Sequence, residues 1–291
     1  MQQHPYFDLW LHDDDELAAL LGSPITQRVT IHEWPLSCVQ RLQCADGQSY
    51  IYKVQAPPSI EPTFYQHARS PLLVTARVLH SDHALAALLL EDVLGSRISD
   101  LSLDEPSRLK MVDDIITQIA RIAGDLPTLS DIRTPAQWLA HGQAITDDLR
   151  FLTAGGSFQQ VNATTIDRVS AHIQSSVVLT AINGPTGYVH TDLRDENVLV
   201  LPDGYRVLDW QRPIRGPVAL DRATMLESIG VDPARHVSVG VLQLRTLLLI
   251  GWFAQTARHW FPEGAPWYDS EIVKLAEQLE TRQSATPVQA G

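Results

Sequence analysis

The sequence predicts an α+β protein in which a small antiparallel-sheet lobe precedes a larger, mainly helical lobe. Three observations predict it. Residues 27–92 read as five β-rich runs with one short helix inserted after the third. Beyond Gly95 apolar residues recur at helical spacing in six segments. One hairpin pattern, VLVLPDGYRVLDW at 198–210, interrupts those helices around Pro202-Asp203-Gly204. A chain of 291 residues that is 44% hydrophobic and 19% charged can bury a sizeable core without disulfide or metal staples.

The elements follow in order. A helix is expected at about 13–22, with Asp13-Asp14-Asp15-Glu16 at its positive end and Gly22 at its close. The three aspartates can also be read as a metal site, but consecutive helical side chains point apart. QRVTIHEW, LSCVQRLQCA and QSYIYKVQ are the first three strands, with Asp46-Gly47 as a hairpin signal and Pro57-Pro58 as the stop. IEPTFYQHA is a short helix with Pro62 near its start. LVTARVLH and ALAALLLEDV are two more strands. The helical segments lie near 104–123, 135–152, 163–182, 219–229, 235–260 and 269–282. The expected domains are an N-terminal lobe at 1–92 and a helical lobe at 93–291, with the crossing near Asp92–Leu94.

Charge and composition exclude several classes. The 34 acids against 22 bases leave a formal charge of -12, which repels nucleic acid and anionic membranes. The same surplus suits solubility or a cationic or metal-complexed ligand. Cys38 and Cys44, if on one strand, are too far apart for a disulfide. The N-terminus lacks a basic and apolar leader. Gln243 and Arg245 interrupt the apolar stretch Val237–Ala254, which therefore reads as a buried helix and not a membrane span. A cytoplasmic protein, monomer or homodimer, is expected.

The chemistry is concentrated in YVHTDLRDENVLVLPDGYRVLDW, 188–210. Asp192 and Asn197 lie on one loop before the hairpin, and Asp209 lies at its far end. An antiparallel return brings Asp209 back beside Asn197. Carboxylate and amide oxygens so gathered suit Mg²⁺. Asp192 is then placed to accept a proton. A base beside a two-ligand Mg²⁺ site is what phosphoryl transfer requires, because its catalysis is mostly positioning and charge neutralisation. Of only three lysines, Lys53 stands inside the apolar run YIYKV, where a buried ammonium needs a partner such as Glu61. A strand-edge lysine reaching water is the alternative.

H-x-D-x-x-x-x-N, a hairpin and then D-W resemble the catalytic segment of the aminoglycoside phosphotransferase / choline kinase family, which has a protein-kinase-like bilobal fold. The likeness extends over roughly residues 27–260, and its motif at 188–210 is the specific part. The D-W form, with neither D-F-G nor A-P-E, separates the chain from true protein kinases. The resemblance implies Asp192 as the base that orients and deprotonates the acceptor hydroxyl, and Asn197 and Asp209 as Mg²⁺ ligands. His190 would brace the loop, and Asp221 would hold loop backbone N–H groups from a helix beneath it. Lys53, paired with Glu61 of EPTFY, would hold the α- and β-phosphates. LLLEDVLG would be the hinge, with the backbone at Glu91, Asp92 and Val93 meeting the adenine edge. Arg194 stands where protein kinases place a γ-phosphate-binding lysine; a loop ion pair with Asp195 or Glu196 is its other reading.

Two positions depart from the family pattern. The first hairpin, EWPLSCV, has no glycine to cover phosphates, which leaves Ser37 and backbone amides for that work or a weaker grip. Thr191 stands where glycine is commonest, and a β-branched residue opposes a positive φ there. The implied function is an ATP-dependent O-phosphotransferase, a kinase for a small hydroxylated molecule such as an aminoglycoside or amino alcohol, with GTP left open as donor. The alternative is a non-catalytic nucleotide-binding regulator of the same shape. WFAQTARHWFPEGAPWYDSE, with Trp252, Trp260, Trp267, Tyr268, Glu263, Asp269 and Glu271, reads either as an acceptor wall or as packing aromatics, and Asp147 and Asp148 are equally two-sided.

Overall fold

The computed structural model describes residues 1–81 and 85–284. The chain forms two compact units. One comprises Met1–Asp104, Thr117–Leu129 and Arg194–Arg212; the other comprises Glu105–Ile116, Ser130–Leu193 and the chain from Pro213 onward. The expected α+β class holds.

The first unit opens with two short paired strands, β1 (Gln2–Gln3) and β2 (Trp10–Leu11), and helix α1 (Asp14–Leu21). The Asp13 carboxylate accepts the Glu16 N–H and the Glu16 carboxylate accepts the Asp13 N–H, a reciprocal cap. Gly22, at φ 72°, ends the helix. The three acids are therefore a helix start, as their spacing suggested.

Strands β3 (Ile25–Trp34), β4 (Ser37–Cys44), β5 (Ser49–Gln55), β6 (Ala76–Ser81) and β7 (Ala86–Glu91) form one antiparallel sheet in the order β3-β4-β5-β7-β6. Gly47 turns between β4 and β5 at φ 84°. Alternation sends Tyr52 and Val54 to a face covered by Leu9, Leu11 and Leu17. Lys53 and Gln55 take the opposite face. Helix α2 (Glu61–His67) lies against β6 and β7. Cys38 and Cys44 share β4 as free thiols.

The second unit is mostly helical. Helix α3 (Glu105–Ile119) begins in it, and strand β8 (Ser130–Asp131) and helix α4 (Pro135–Ala154) follow. The single helix expected over 163–182 is two, α5 (Ala163–Ile173) and α6 (Ser176–Ile182). Ser175 divides them: its hydroxyl donates to the His172 carbonyl and accepts the Val178 N–H, closing one helix while capping the next.

Strand β9 (Thr186–Val189) comes next, and the hairpin β10 (Val198–Leu201) and β11 (Gly204–Val207) belongs to the first unit. Strand β12 (Ile214–Pro217) lies between β8 and β9 in a small three-stranded sheet absent from the sequence reading. These strands run two to four residues, too short to show an alternating pattern. Helix α7 (Ala219–Ser228) leads to α8 (Val239–Gln255), which continues as one π-helical turn to Trp260, and α9 (Ala265–Ser284) closes the fold. Helix α9 starts four residues before the expected 269.

Helix α8 packs on α4, α6, α7 and α9 and is the spine of this core. Its apolar stretch is long enough to cross a membrane but lies mostly buried inside the helical unit. Close packing at α6 depends on Gly240, where a Cβ would come 2.3 Å from the Val177 carbonyl oxygen. Gly240→Ala is expected to cost about 1–3 kcal/mol of stability, read as a fall of several degrees in the thermal midpoint. An unchanged midpoint would refute that close approach.

Candidate functional site

Lys53 is placed by β5 and Glu61 by the first turn of α2. The Lys53 Nζ lies 2.7 Å from Glu61 Oε2, with side chains 6% and 0% exposed. The same ammonium also donates to Asp209 Oδ1. The strand-edge reading of Lys53 does not apply. The other oxygen of Glu61 accepts the Trp210 N–H at 3.1 Å, and the Trp210 ring stacks on Phe64 at 4.4 Å. Burial alone would pull the Lys53 ammonium down; Asp209 and Glu61 outweigh it and hold its pKa above the ordinary value. Burial pushes the Glu61 carboxyl up against the opposing pull of Lys53.

Asp209 arrives by way of the hairpin. Val198 pairs with Val207, and the Leu208 N–H donates to the Asn197 carbonyl at 2.9 Å, so Asn197 and Asp209 flank the hairpin base. The Val207 N–H donates to the Leu72 carbonyl at 2.8 Å, anchoring the hairpin within its unit. Asp209 has φ 66°, a left-handed conformation that costs a non-glycine residue free energy. Its carboxylate also accepts from the Gln211 amide, a partner that the sequence reading did not single out. Its adjacency to the D-W pair was the only available signal.

Asp192 belongs to the second unit, on the loop after β9. There the Asp221 carboxylate accepts the His190 N–H at 2.8 Å and the Thr191 N–H at 2.9 Å. His190 Nδ1 accepts the Asp192 N–H at 3.3 Å. The expected bracing by His190 and Asp221 is present. Thr191 adopts φ 69°, contrary to the expectation that its branched side chain would keep it from a positive φ. The two N–H bonds to Asp221 hold it there. Burial, opposed by the polar groups of His190 and these N–H donors, pushes the Asp221 carboxyl up to about 6.

The remaining candidates lie in the first unit. Arg194 is half-exposed and paired with Glu196 at 2.7 Å, its ion-pair reading. Asp195 instead accepts from the Ser99 N–H and hydroxyl. Asp92 is held by Arg41 at 2.8 Å and by the Ser49 hydroxyl at 2.6 Å, and Glu91 accepts the Thr75 N–H at 3.1 Å. These side chains shape the turn after β7, where Val93 is half-buried. Ser37 is buried and its hydroxyl accepts the Trp34 indole N–H at 2.6 Å, so it does not project from the β3–β4 turn.

In the acidic and aromatic stretch near the C-terminus Tyr268 and Asp269 are buried, Trp252, Trp260 and Glu271 are half-buried, and Glu263 is exposed. Asp269 accepts three backbone N–H bonds, from Gln159, Gln160 and Val161, each at 2.8 Å. Tyr268 lies in the helical core, Asp148 pairs with Arg258 at 2.6 Å, and Glu271 pairs with Lys274 at 2.6 Å. Trp267 remains exposed.

A family model described as the phosphotransferase enzyme family matches residues 46–258. No curated protein matches by sequence. Among solved structures, a thermostable mutant of aminoglycoside phosphotransferase APH(4)-Ia, in ternary complex with AMP-PNP and hygromycin B, matches at 18% identity and TM-score 0.61. That match covers 94% of this chain and 99% of the other. A choline/ethanolamine kinase family protein from Mesorhizobium loti matches at 15% identity and TM-score 0.58, covering 93% and 98%. Macrolide 2'-phosphotransferase MphH from Brachybacterium faecium matches at 15% identity and TM-score 0.52, covering 94% and 97%. The shared feature is the fold, α+β and protein-kinase-like.

Two stability measurements test the geometry. Removing one charge from the buried pair, by Glu61→Gln, should cost about 3 kcal/mol in urea denaturation; a loss below 1 kcal/mol would refute the pairing. A carboxyl raised from about 3.9 in the unfolded chain to about 6 adds stability below the first value and loses it as pH rises through the second. Wild-type stability should therefore fall by about 2 kcal/mol more than that of Asp221→Asn between pH 4 and 7. Identical pH slopes would refute the raised value.

Proposed function

The chain belongs to the phosphotransferase enzyme family, and we propose that it transfers the γ-phosphate of ATP to a hydroxyl of a small molecule. The observation that carries this reading is the buried Lys53 ammonium held by Glu61 and Asp209 at the end of a hairpin whose other end is Asn197. An ammonium with surplus negative partners is suited to bind phosphate oxygens once a divalent cation takes up a carboxylate.

The donor set fits Mg²⁺. Asn197 and Asp209 offer hard oxygens, and Asp209 is about a quarter exposed, open enough to accept a ligand. A cation on them would neutralise charge on the transferred phosphate. Lys53 would bind the α- and β-phosphates, and Glu61 keeps Lys53 charged and aimed. The backbone at Glu91–Val93 would meet the adenine. Asp192 would accept the proton of the acceptor hydroxyl as its oxygen bonds to the γ-phosphorus and the bond to the β-phosphate oxygen breaks. Arg194 would leave Glu196 to bind the γ-phosphate as a fixed charge.

A small acceptor that is hydroxylated and cationic agrees with the net charge of -12 and with the amine-bearing molecules named for the structural neighbours. The glycine-free β3–β4 turn, with Ser37 turned inward, favours one second reading, a nucleotide-binding regulator without turnover.

Calorimetry separates these readings. Wild type should bind ATP only with Mg²⁺, and Asp209→Asn should weaken that binding at least tenfold, with GTP titrated in parallel. With hydroxylated amines as acceptors, Asp192→Asn should retain nucleotide and lose turnover by roughly 10²–10⁴-fold. Turnover retained in that variant would overturn the base assignment, and tight Mg²⁺-dependent binding without turnover on any acceptor would favour the regulator.

A further inference from the structure

Tyr65 is a buried polar group that the proposed mechanism does not use. It lies on α2 one turn beyond Glu61, so the two side chains share a helix face. It is 9% exposed, and its hydroxyl has no hydrogen-bond partner among the described residues. Its neighbour Phe64 supplies the apolar contact here, stacked on Trp210. A phenylalanine at 65 would fill the same space without burying an unpartnered O–H, which is unfavourable. Burial, then the charges of Glu61 and Asp209, push the phenol well above its ordinary pKa, so it stays a protonated donor in the field of both carboxylates that hold Lys53.

A second such donor lies on β5. Gln55 follows Lys53 by two residues and shares its sheet face. Its Oε1 accepts from the Ser59 hydroxyl at 2.6 Å, while its buried Nε2 has no partner among the described residues. Unused neutral donors on the helix and strand that supply an ammonium and its carboxylate suit a ligand rich in acceptor oxygens.

We propose that the Tyr65 hydroxyl is a positioning donor that hydrogen-bonds a phosphate oxygen of the nucleotide bound at Lys53. This rests on the nucleotide reading above. Asp209 and Asn197 serve the cation and Lys53 the charge; Tyr65 fixes orientation through a neutral bond. A hydrogen bond to a charged oxygen corresponds to roughly tenfold in affinity.

The test is calorimetry and thermal melting of wild type and Tyr65→Phe, with Mg·ATP and with adenosine as ligands. The expected variant melts at or above the wild-type temperature, binds Mg·ATP about tenfold more weakly and binds adenosine within twofold of wild type. A structural role would not separate the two ligands. Unchanged Mg·ATP affinity, a parallel loss for both ligands, or a midpoint several degrees lower would each overturn the proposal. If wild type binds neither ATP nor GTP, the nucleotide reading fails and the donor role with it. If wild type binds and the variant matches it, the donor role alone fails.

Discussion

The buried ammonium of Lys53 is the constraint on which the first unit depends. An ammonium 6% exposed requires counter-charge, and its two carboxylates come from separate elements, Glu61 from α2 and Asp209 from the hairpin end. Sheet, helix and hairpin must therefore be arranged together. Glu61 tightens the arrangement, because its second oxygen holds the Trp210 backbone while the Trp210 ring stacks on Phe64, three residues after Glu61. The same contacts that bury the charge also hold Asp209 in its left-handed conformation. Stability and the candidate chemistry share one set of atoms.

Carboxylates act as internal clamps elsewhere too. Asp221 holds two loop N–H groups before Asp192, and Asp269 holds three in the loop after α4. Asp195 ties the 194–197 segment to Ser99, and Asp92 ties the end of β7 to Arg41 and Ser49. A charge-assisted bond to backbone N–H is stronger than a neutral one, so one carboxylate can restrain an irregular loop. Part of the acidic surplus is thus structural, and the acidic, aromatic C-terminal stretch owes much of its composition to packing. The strained φ angles at Thr191 and Asp209 occur beside such restraints.

Much of the site was legible in the chain because its spacing is local. Asp192, Asn197 and Asp209 lie within 18 residues, and a hairpin with a strong turn signal relates the last two. The Lys53–Glu61 pairing was legible because a lone lysine in an apolar strand demands a partner close in sequence. Partners distant in sequence were not legible: Ser99 for Asp195, the 159–161 loop for Asp269, and Arg258 for Asp148. The three-stranded sheet β8-β12-β9 is not legible because its strands are very short and come from segments remote in the chain. The break at Ser175 is not legible either, because apolar periodicity runs through it while a single hydroxyl caps both sides.

The sequence by itself determined the α+β class, the order of the main elements, the hairpin that returns Asp209 beside Asn197, and the residue types suited to phosphoryl transfer. These follow from periodicity, turn chemistry and short-range spacing, which act along the chain. Tertiary structure decided which charges are already neutralised. It closed Asp92, Asp148 and Asp269 inside the fold, paired Arg194 with Glu196, and drove Thr191 into a conformation that its side chain opposes. It also left the Tyr65 hydroxyl buried without a partner among the described residues. The physical reason is that burial and hydrogen-bond satisfaction are properties of neighbours in space, and those neighbours lie many tens of residues apart in the chain.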